Sequence, residues 1–230
     1  MIQPVQIGLA TLHNMPCKDF MRTVPDNYFD LAIVDPPYFE GPNKSGYYGK
    51  GYSNLGVPRG KHYDSLESWE VPDAEYFNEL KRISKNQIIW GANHFADELK
   101  SSSPAWLVWD KDNGESSFAD VELAYTSFKT AARIFRYRWH GMIQGYQGNK
   151  RLNQTRIHPT QKPIQLYEYC LANYAKAGQK IFDSHLGSGS HAIACNNFGF
   201  ELVACEKDKS MFEKSCEWIA QELKQERLFA

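Results

Sequence analysis

Apolar residues along this chain fall into two alternating patterns. Short, largely apolar runs occur at 31–34, 87–90, 105–109, 180–183 and 201–205, each the length of a buried strand. Between them, Tyr76, Leu80 and Ile83 recur at the spacing of one helix face, as do Phe212, Cys216, Ile219 and Leu223 near the end. Residues 164–174, led in by Pro163 and stopped at Gly178, read as a helix, and so do residues 190–197 after Gly187-Ser188-Gly189. Weaker patterns predict a strand over 5–12 and short helices over 15–23 and 95–100. Residues 121–128 and 132–139 read as two further strands, paired as a hairpin. Strands that alternate with helices predict an α/β fold with a mostly parallel twisted sheet, helices on both faces and an antiparallel edge hairpin.

Two polar, glycine-rich stretches interrupt the pattern, at 39–64 and 141–157. Structureless loops this long are uncommon in compact domains and are usually functional. The first carries Tyr47, Tyr48 and Tyr52 among Lys44, Lys50, Arg59 and Lys61, which suits a lid or a nucleic-acid-contacting loop. At 230 residues the chain fits one domain spanning 1–230.

Net charge is −1, which selects no partner. The distribution is more informative: Lys129, Arg133, Arg136, Arg138, Lys150, Arg151, Arg156 and Lys162 fall in a stretch, 129–167, without one Asp or Glu. That is either a polyanion-binding face or a solvated surface. The five cysteines are odd in number and lack Cys-x-x-Cys spacing, which argues against a disulfide framework and against a Cys-based zinc site, and no metal is expected. A reduced, cytoplasmic setting follows, with no membrane partner, because no apolar run approaches spanning length.

The candidate chemistry lies at strand ends. Asp35-Pro36-Pro37-Tyr38 follows the 31–34 run, and the two prolines forbid further pairing or an immediate helix. A carboxylate, rigid carbonyls and a ring are thus fixed where α/β sheets bind ligands. The bland alternative is a strand-terminating turn with a buried tyrosine. The second stretch, Asp183-Ser184-His185-Leu186-Gly187-Ser188-Gly189, is a strand end, a glycine turn and a helix start. Its backbone N–H groups suit an anion, and Glu206, about twenty residues on, suits ribose hydroxyls. This half fits S-adenosylmethionine or a dinucleotide, although Ala192 replaces the third glycine of the dinucleotide pattern. Asp35 and the Pro36 carbonyl make two acceptors for the two hydrogens of an exocyclic amine, and Tyr38 can stack on a planar base. Such a base would have to leave a duplex to reach them.

Together with His158-Pro159-Thr160-Gln161-Lys162-Pro163, these motifs and their order resemble the amino-methyltransferases of DNA, beta group. Trp109-Asp110-Lys111 and Val121 to Tyr125 are similar to that family's later strands. The resemblance implies a permuted Rossmann-like methyltransferase, with DNA as partner and S-adenosylmethionine as cofactor. It implies that Asp35, Pro36, Pro37 and Tyr38 carry the chemistry. The cofactor would be held by Asp183, Ser184, His185, Leu186, Gly187, Ser188, Gly189 and Glu206. Thr160, Gln161 and Lys162 would help, and Asn14 would contact the cofactor's adenine in place of a family acid that is absent from the loop after the first strand, where Met15-Pro16 stands. Ser184-His185 departs from the family's Pro-Phe.

With little room for a recognition domain, Lys44, Lys50, Arg133, Arg136, Arg138, Lys150, Arg151 and Arg156 are the candidate DNA contacts, and either a short recognition site or a homodimer is expected. Asp at position 35 favours adenine N6, with cytosine N4 the alternative. A catalytically dead nucleic-acid binder and a nicotinamide-linked oxidoreductase are the readings from other classes.

Overall fold

The computed structural model describes residues 3–39, 69–114, 119–140, 143–145, 153–158 and 160–224. Lys44, Lys50, Lys150 and Arg151, with the greater part of both long stretches, lie outside the described residues. The chain opens with β1 (Val5–Ile7) and β2 (Ala10–His13), then α1 (Cys17–Arg22) and β3 (Phe29–Val34). It continues through α2 (Ala74–Ile83), β4 (Ser84–Trp90), α3 (Ala96–Leu99), β5 (Leu107–Asp110), β6 (Val121–Thr126) and β7 (Arg133–Arg136). After the small ladder β8 (Trp139–His140) and β9 (Ile143–Gln144) come α4 (Ile164–Tyr174), β10 (Lys180–Asp183), α5 (Ser190–Phe198), β11 (Glu201–Cys205) and α6 (Lys209–Lys224).

The main sheet runs β1-β2-β11-β10-β3-β4-β6-β5-β7. All neighbours are parallel except at β1 and β6. Side chains of the central strands alternate between two cores, as the period of two requires. Leu31, Ile33, Ile88, Trp90 and Ile181 pack against α4, α5 and α6 through Leu166, Tyr167, Ile193 and Ile219. Ala32, Val34, Ile89 and Phe182 face the other way, onto Met21, Tyr76, Phe77, Leu80 and Leu99 of α1, α2 and α3. This three-layer arrangement is the expected fold class. No described helix is long and apolar enough to cross a membrane.

Three details differ from expectation. Residues 5–12 form a hairpin rather than one strand, because Gly8, at φ +57°, turns the chain between β1 and β2. Residues 121–128 and 132–139 do not pair with each other: β5 lies between them, antiparallel to β6 and parallel to β7. The antiparallel edge hairpin therefore sits at the opposite edge of the sheet. Finally, 141–157 is not wholly loop, since Ile143 pairs with His140 in the β8–β9 ladder.

Chain direction reverses at β3 and β10. From β10 the chain moves outward to β11, whereas from β3 it moves the other way to β4. The adjacent pair is thus a topological switch point, and the crevice beyond its carboxyl ends is where such sheets bind ligands.

Candidate active site

A cavity of about 470 Å³ opens at that switch point. Asp35 to Phe39 at the end of β3, Ser184 to Ser188 after β10, and Glu206 to Asp208 after β11 line it. Thr160, Gln161, Lys162 and Tyr167 form another wall, and Trp69 to Asp73 with Tyr76 a further one. The two motifs that sequence places some 150 residues apart thus face one space.

At the glycine turn, Gly187 adopts φ +52° and its N–H donates to Glu206 Oε2 at 3.0 Å. The Asp208 N–H donates to Glu206 Oε1 at 2.9 Å. Burial pushes the Glu206 carboxyl up to about 7, against the pull of those two N–H groups. Gly189, at φ +88°, has Ile219 2.7 Å from where a Cβ would stand, so it serves packing and does not line the cavity. Asp183 does not line it either: its carboxylate accepts from the His185 N–H at 3.0 Å and lies 3.0 Å from His191 Nδ1. It fixes the turn from behind. Asn14 likewise departs from expectation. Its amide donates to the Glu206 carbonyl at 2.8 Å, bracing the loop after β11 from outside the cavity.

Where relatives of the resembled family carry Pro-Phe, Ser184 and His185 build a polar chain. Tyr76 Oη and Ser184 Oγ lie 2.7 Å apart, Ser184 Oγ and His185 Nδ1 2.8 Å, and Cys17 Sγ stands 4.0 Å from His185 Nε2. Burial draws His185 down to about 4 and pushes the Cys17 thiol up to about 12, so both are neutral near pH 7. Tyr76 and Cys17 carried no motif, and sequence reasoning missed them.

The other half of the cavity is a buried charge cluster. Lys162 Nζ donates to Asp35 Oδ2 at 2.8 Å and lies 3.0 Å from Glu122 Oε2, and Lys111 Nζ lies 2.5 Å from Glu122 Oε1. The side chains of Lys162, Asp35 and Glu122 are only 5%, 15% and 16% exposed. Two acids and two bases cancel, which is how charges persist without water. Burial opposes the charge on Glu122, but Lys162 and Lys111 prevail and hold it near 2. Asp35, with a share of Lys162 alone, is raised by burial. Its Oδ1 is buried and has no hydrogen-bond partner among the described residues. Lys162 was expected to serve the cofactor; its ammonium serves Asp35 instead. Gln161 is also occupied, with Oε1 accepting from the Ile157 N–H and Nε2 donating to the Thr155 carbonyl.

Tyr38 stacks on His94, with ring centroids 4.6 Å apart and planes 6° from parallel. The ring fits because Gly91 lacks a side chain: a Cβ there would stand 2.6 Å from Tyr38 Cδ1. Phe39 links Tyr38 to Trp69, with ring centroids 5.4 and 5.3 Å away, and Trp69 stacks on His158 at 5.6 Å; burial draws His158 down to about 4.

The basic segment looks different in space. Its described members Arg133 and Arg136 lie on the edge strand β7, but Arg136 reaches Asp110 at 3.3 Å and Arg138 reaches Asp112 at 2.6 Å. The acids absent from the local sequence come from the neighbouring β5 and the turn after it. Arg156 sits over the Trp139 ring at 4.3 Å. Among the described residues, no cluster of acids, His and Cys is arranged to hold a metal.

The sequence model of a DNA methylase family, the N6/N4 class, matches residues 60–217. The chain belongs to this N6/N4 DNA methylase family. It is similar to the type II methyltransferase M2.MboI of Moraxella bovis, 24% identical over 227 residues, covering 86% of this chain and 83% of the relative. It is 23% identical over 233 residues to M.HpaI of Haemophilus parainfluenzae, covering 88% and 71%. Among solved structures, the M1.HpyAVI–SAM complex shares the fold at a TM-score of 0.57 and 16% identity, over 90% of this chain and 98% of that one. The PvuII cytosine-N4-specific DNA methyltransferase does so at 0.58 and 12%, over 96% and 88%. The fold is therefore that of N6/N4 DNA methylases.

Proposed function

We propose that this DNA methylase transfers a methyl group from S-adenosylmethionine to the exocyclic N6 of an adenine flipped out of DNA. Asp35 Oδ1 carries the reading: a buried carboxylate oxygen without a hydrogen-bond partner among the described residues, beside Tyr38, in the cavity that Glu206 and the glycine turn also line. A lone buried acceptor costs stability unless something donates to it. An amine hydrogen is such a donor, and the Pro36 carbonyl is the natural acceptor for the second one.

The donor set fits the cofactor. Glu206 holds a carboxylate where two ribose hydroxyls can donate, and Ser184 and Ser188 bring small polar side chains to the methionine end, while the N–H groups of His185, Leu186 and Gly187 are spent on Asp183, the Cys205 carbonyl and Glu206 in shaping the turn. The dinucleotide alternative lacks its third glycine, because Ala192 is a buried residue of α5. Bound S-adenosylmethionine supplies an electrophilic methyl on a sulfonium, so no metal is required. The protein's part is positioning. Asp35 and the Pro36 carbonyl draw both amine hydrogens, which directs the nitrogen lone pair at the methyl carbon. With the cofactor bound, the N–C bond would form as the C–S pair stays with sulfur, leaving S-adenosylhomocysteine, and the surplus proton of the methylated amine would pass to solvent. Tyr38 stacks on the base.

Adenine is favoured over cytosine because Asp at position 35 is the commoner choice for adenine in this family. Cytosine N4 is the second reading: the amine chemistry is the same, and the PvuII enzyme of this fold is cytosine-N4-specific. Reaction with methyl-labelled cofactor, followed by digestion of the DNA to nucleosides, separates them. Label in N6-methyl-2′-deoxyadenosine supports the proposal, and label in N4-methyl-2′-deoxycytidine overturns it in favour of the second. We also infer that the type II relatives reflect a restriction–modification setting. Site recognition would then be short or shared by two copies of the chain. A monomer bound to a long, strict site in analytical ultracentrifugation would overturn that.

A further inference from the structure

Glu122 lies on β6, one strand beyond β4 from the motif strand β3, and no part of the mechanism above uses it. Yet it contacts the same ammonium as Asp35. β6 is antiparallel to its neighbours, so its first residues, not its last, come to the carboxyl edge: Glu122 pairs in register with Trp109, next to Asp110. Lys111, just past β5, then meets Glu122 at 2.5 Å, with its ammonium 5.1 Å from the Trp109 ring centre. The four groups form a chain, Lys111–Glu122–Lys162–Asp35, that ends on the free Oδ1.

A lysine has three donors and no preferred fork, so its direction is set by whichever acceptors surround it. With Asp35 as sole partner, Lys162 could bridge both carboxylate oxygens. Glu122 on β6 sets a second negative oxygen, Oε2, 3.0 Å from Nζ as an ion-pair partner, and that oxygen, like Asp35 Oδ1, has no hydrogen-bond partner among the described residues. We propose that Glu122, anchored by Lys111, is a positioning residue for methyl transfer: it confines Lys162 to Oδ2 of Asp35 and thereby reserves Oδ1 for the target amine. The inference rests on the cavity being the methyl-transfer site proposed above, and it holds for either amine.

The groups around Asp35 are Lys162 before α4, Glu122 on β6, Asp183 at the end of β10, and the phenols of Tyr38, Tyr76 and Tyr167. Around Glu122 they are Lys162 and Lys111. Of these, Glu122, Lys111 and Asp183 lie outside the cavity lining.

The test is the single-turnover rate of DNA methylation at saturating S-adenosylmethionine, measured from pH 5 to 9 for the wild type and two variants. Glu122→Gln removes a negative neighbour. Lys162 then settles on Asp35, the plateau rate falls on the order of tenfold, and the acid limb moves to lower pH by about one unit. Lys111→Met frees Glu122 to pull harder on Lys162, and the acid limb moves to higher pH. Cofactor Kd stays within about threefold for both, and Glu122→Asp recovers part of the plateau rate. Opposite displacement of the two limbs is the result expected. Limbs that stay put, or move together with lowered Tm, reduce Glu122 to a structural role and overturn the inference. Should Glu122→Gln not fold, the direction of the Lys111→Met limb decides. Wild-type protein that methylates no DNA overturns the functional reading and this role with it, an outcome distinct from variants that match an active wild type.

Discussion

The two halves of the cavity hold carboxylates in contrasting ways. Glu206 is met by backbone N–H groups from Gly187 and Asp208 and, among the described residues, by no cation, and burial brings it to about 7. Asp35 is met by a lysine, which is itself shared with Glu122. Backbone donors are fixed by the turn and cannot follow a ligand, so Glu206 is a rigid receptor whose charge is completed by what binds. A lysine swings, so the Asp35 half needs a counter-pull to stay arranged. The Glu206 half is therefore specified by chain geometry, and the Asp35 half by a balance of charges.

The largest effect should come from breaking that balance. Lys162→Met leaves Asp35 and Glu122 buried, with Lys111 against Glu122 alone. Removing one partner of a buried ion pair costs about 3–5 kcal/mol, or roughly 10 °C in Tm for a chain of this size. The sign with pH follows from the acids left behind. Without Lys162 their carboxyls sit higher in the folded state than in the unfolded one, so the loss is greatest at pH 8 and shrinks toward pH 5 as they take protons. Calorimetric melts of wild type and variant across that range check it; a pH-independent loss would mean that the cluster is not the cause.

Next is Asp35→Ala. It deletes the free acceptor while Lys162 keeps Glu122. Losing one preorganised polar contact to the reacting group costs about 10²–10³-fold in turnover. Binding of S-adenosylhomocysteine, followed by calorimetry, should change less than about threefold. A matched loss of both would show that the halves are not separate.

The contrast between halves also explains what the sequence disclosed. The β3 end, the glycine turn and the α4 helix were legible because local chemistry dictates them: two prolines stop a strand, and two glycines with positive φ make the turn. Glu206 was legible by its distance from that turn. The balancing charges were not. Lys111 and Glu122 lie some 75 to 90 residues after Asp35, on strands whose pairing was misjudged. Once β5 is put between β6 and β7, both are carried to the cavity edge. The same error made the stretch 129–167 look free of acids, since Asp110 and Asp112 reach it across the β5–β7 ladder. Asn14 was placed correctly after β2, but that its amide braces the Glu206 carbonyl is a contact between elements that spacing does not disclose. Sequence spacing predicts contacts within an element, whereas contacts between elements wait on strand order.

Glu206 gives a smaller effect and tests the rigid half. A folded-state carboxyl raised from 4.5 to about 7 is stabilising as the neutral acid, and that contribution is present below pH 4.5 and lost as pH rises through 7. The charged form thus costs the unliganded protein roughly 3 kcal/mol at pH 8. Ribose hydroxyls donate to the charged form, so S-adenosylhomocysteine should bind more tightly as pH rises from 6 to 8, with proton release. Glu206→Gln should flatten that dependence and raise Tm at pH 8. Titration calorimetry in buffers of different ionisation enthalpy reads the proton count directly. Equal proton release by wild type and variant would assign the dependence to another group.

The smallest effect isolates one ring on the amine side. His94 stacks on Tyr38 at 4.6 Å and 6°, and Gly91 leaves the room that lets Tyr38 lie there. An aromatic pair of this kind is worth about 0.5–1.5 kcal/mol beyond its area. If His94 backs Tyr38 so that the other face meets the base, His94→Ala should lower kcat/KM for DNA by about two- to tenfold, the same energy read as a rate ratio. His94→Phe should restore most of it, because the stack needs a flat ring and not a charge. Cofactor affinity and its pH dependence should stay at wild-type values, since His94 lines no part of the Glu206 side. A loss that Phe cannot rescue would make the imidazole nitrogens the working atoms. His94 would then be a polar contact to DNA rather than a support for Tyr38.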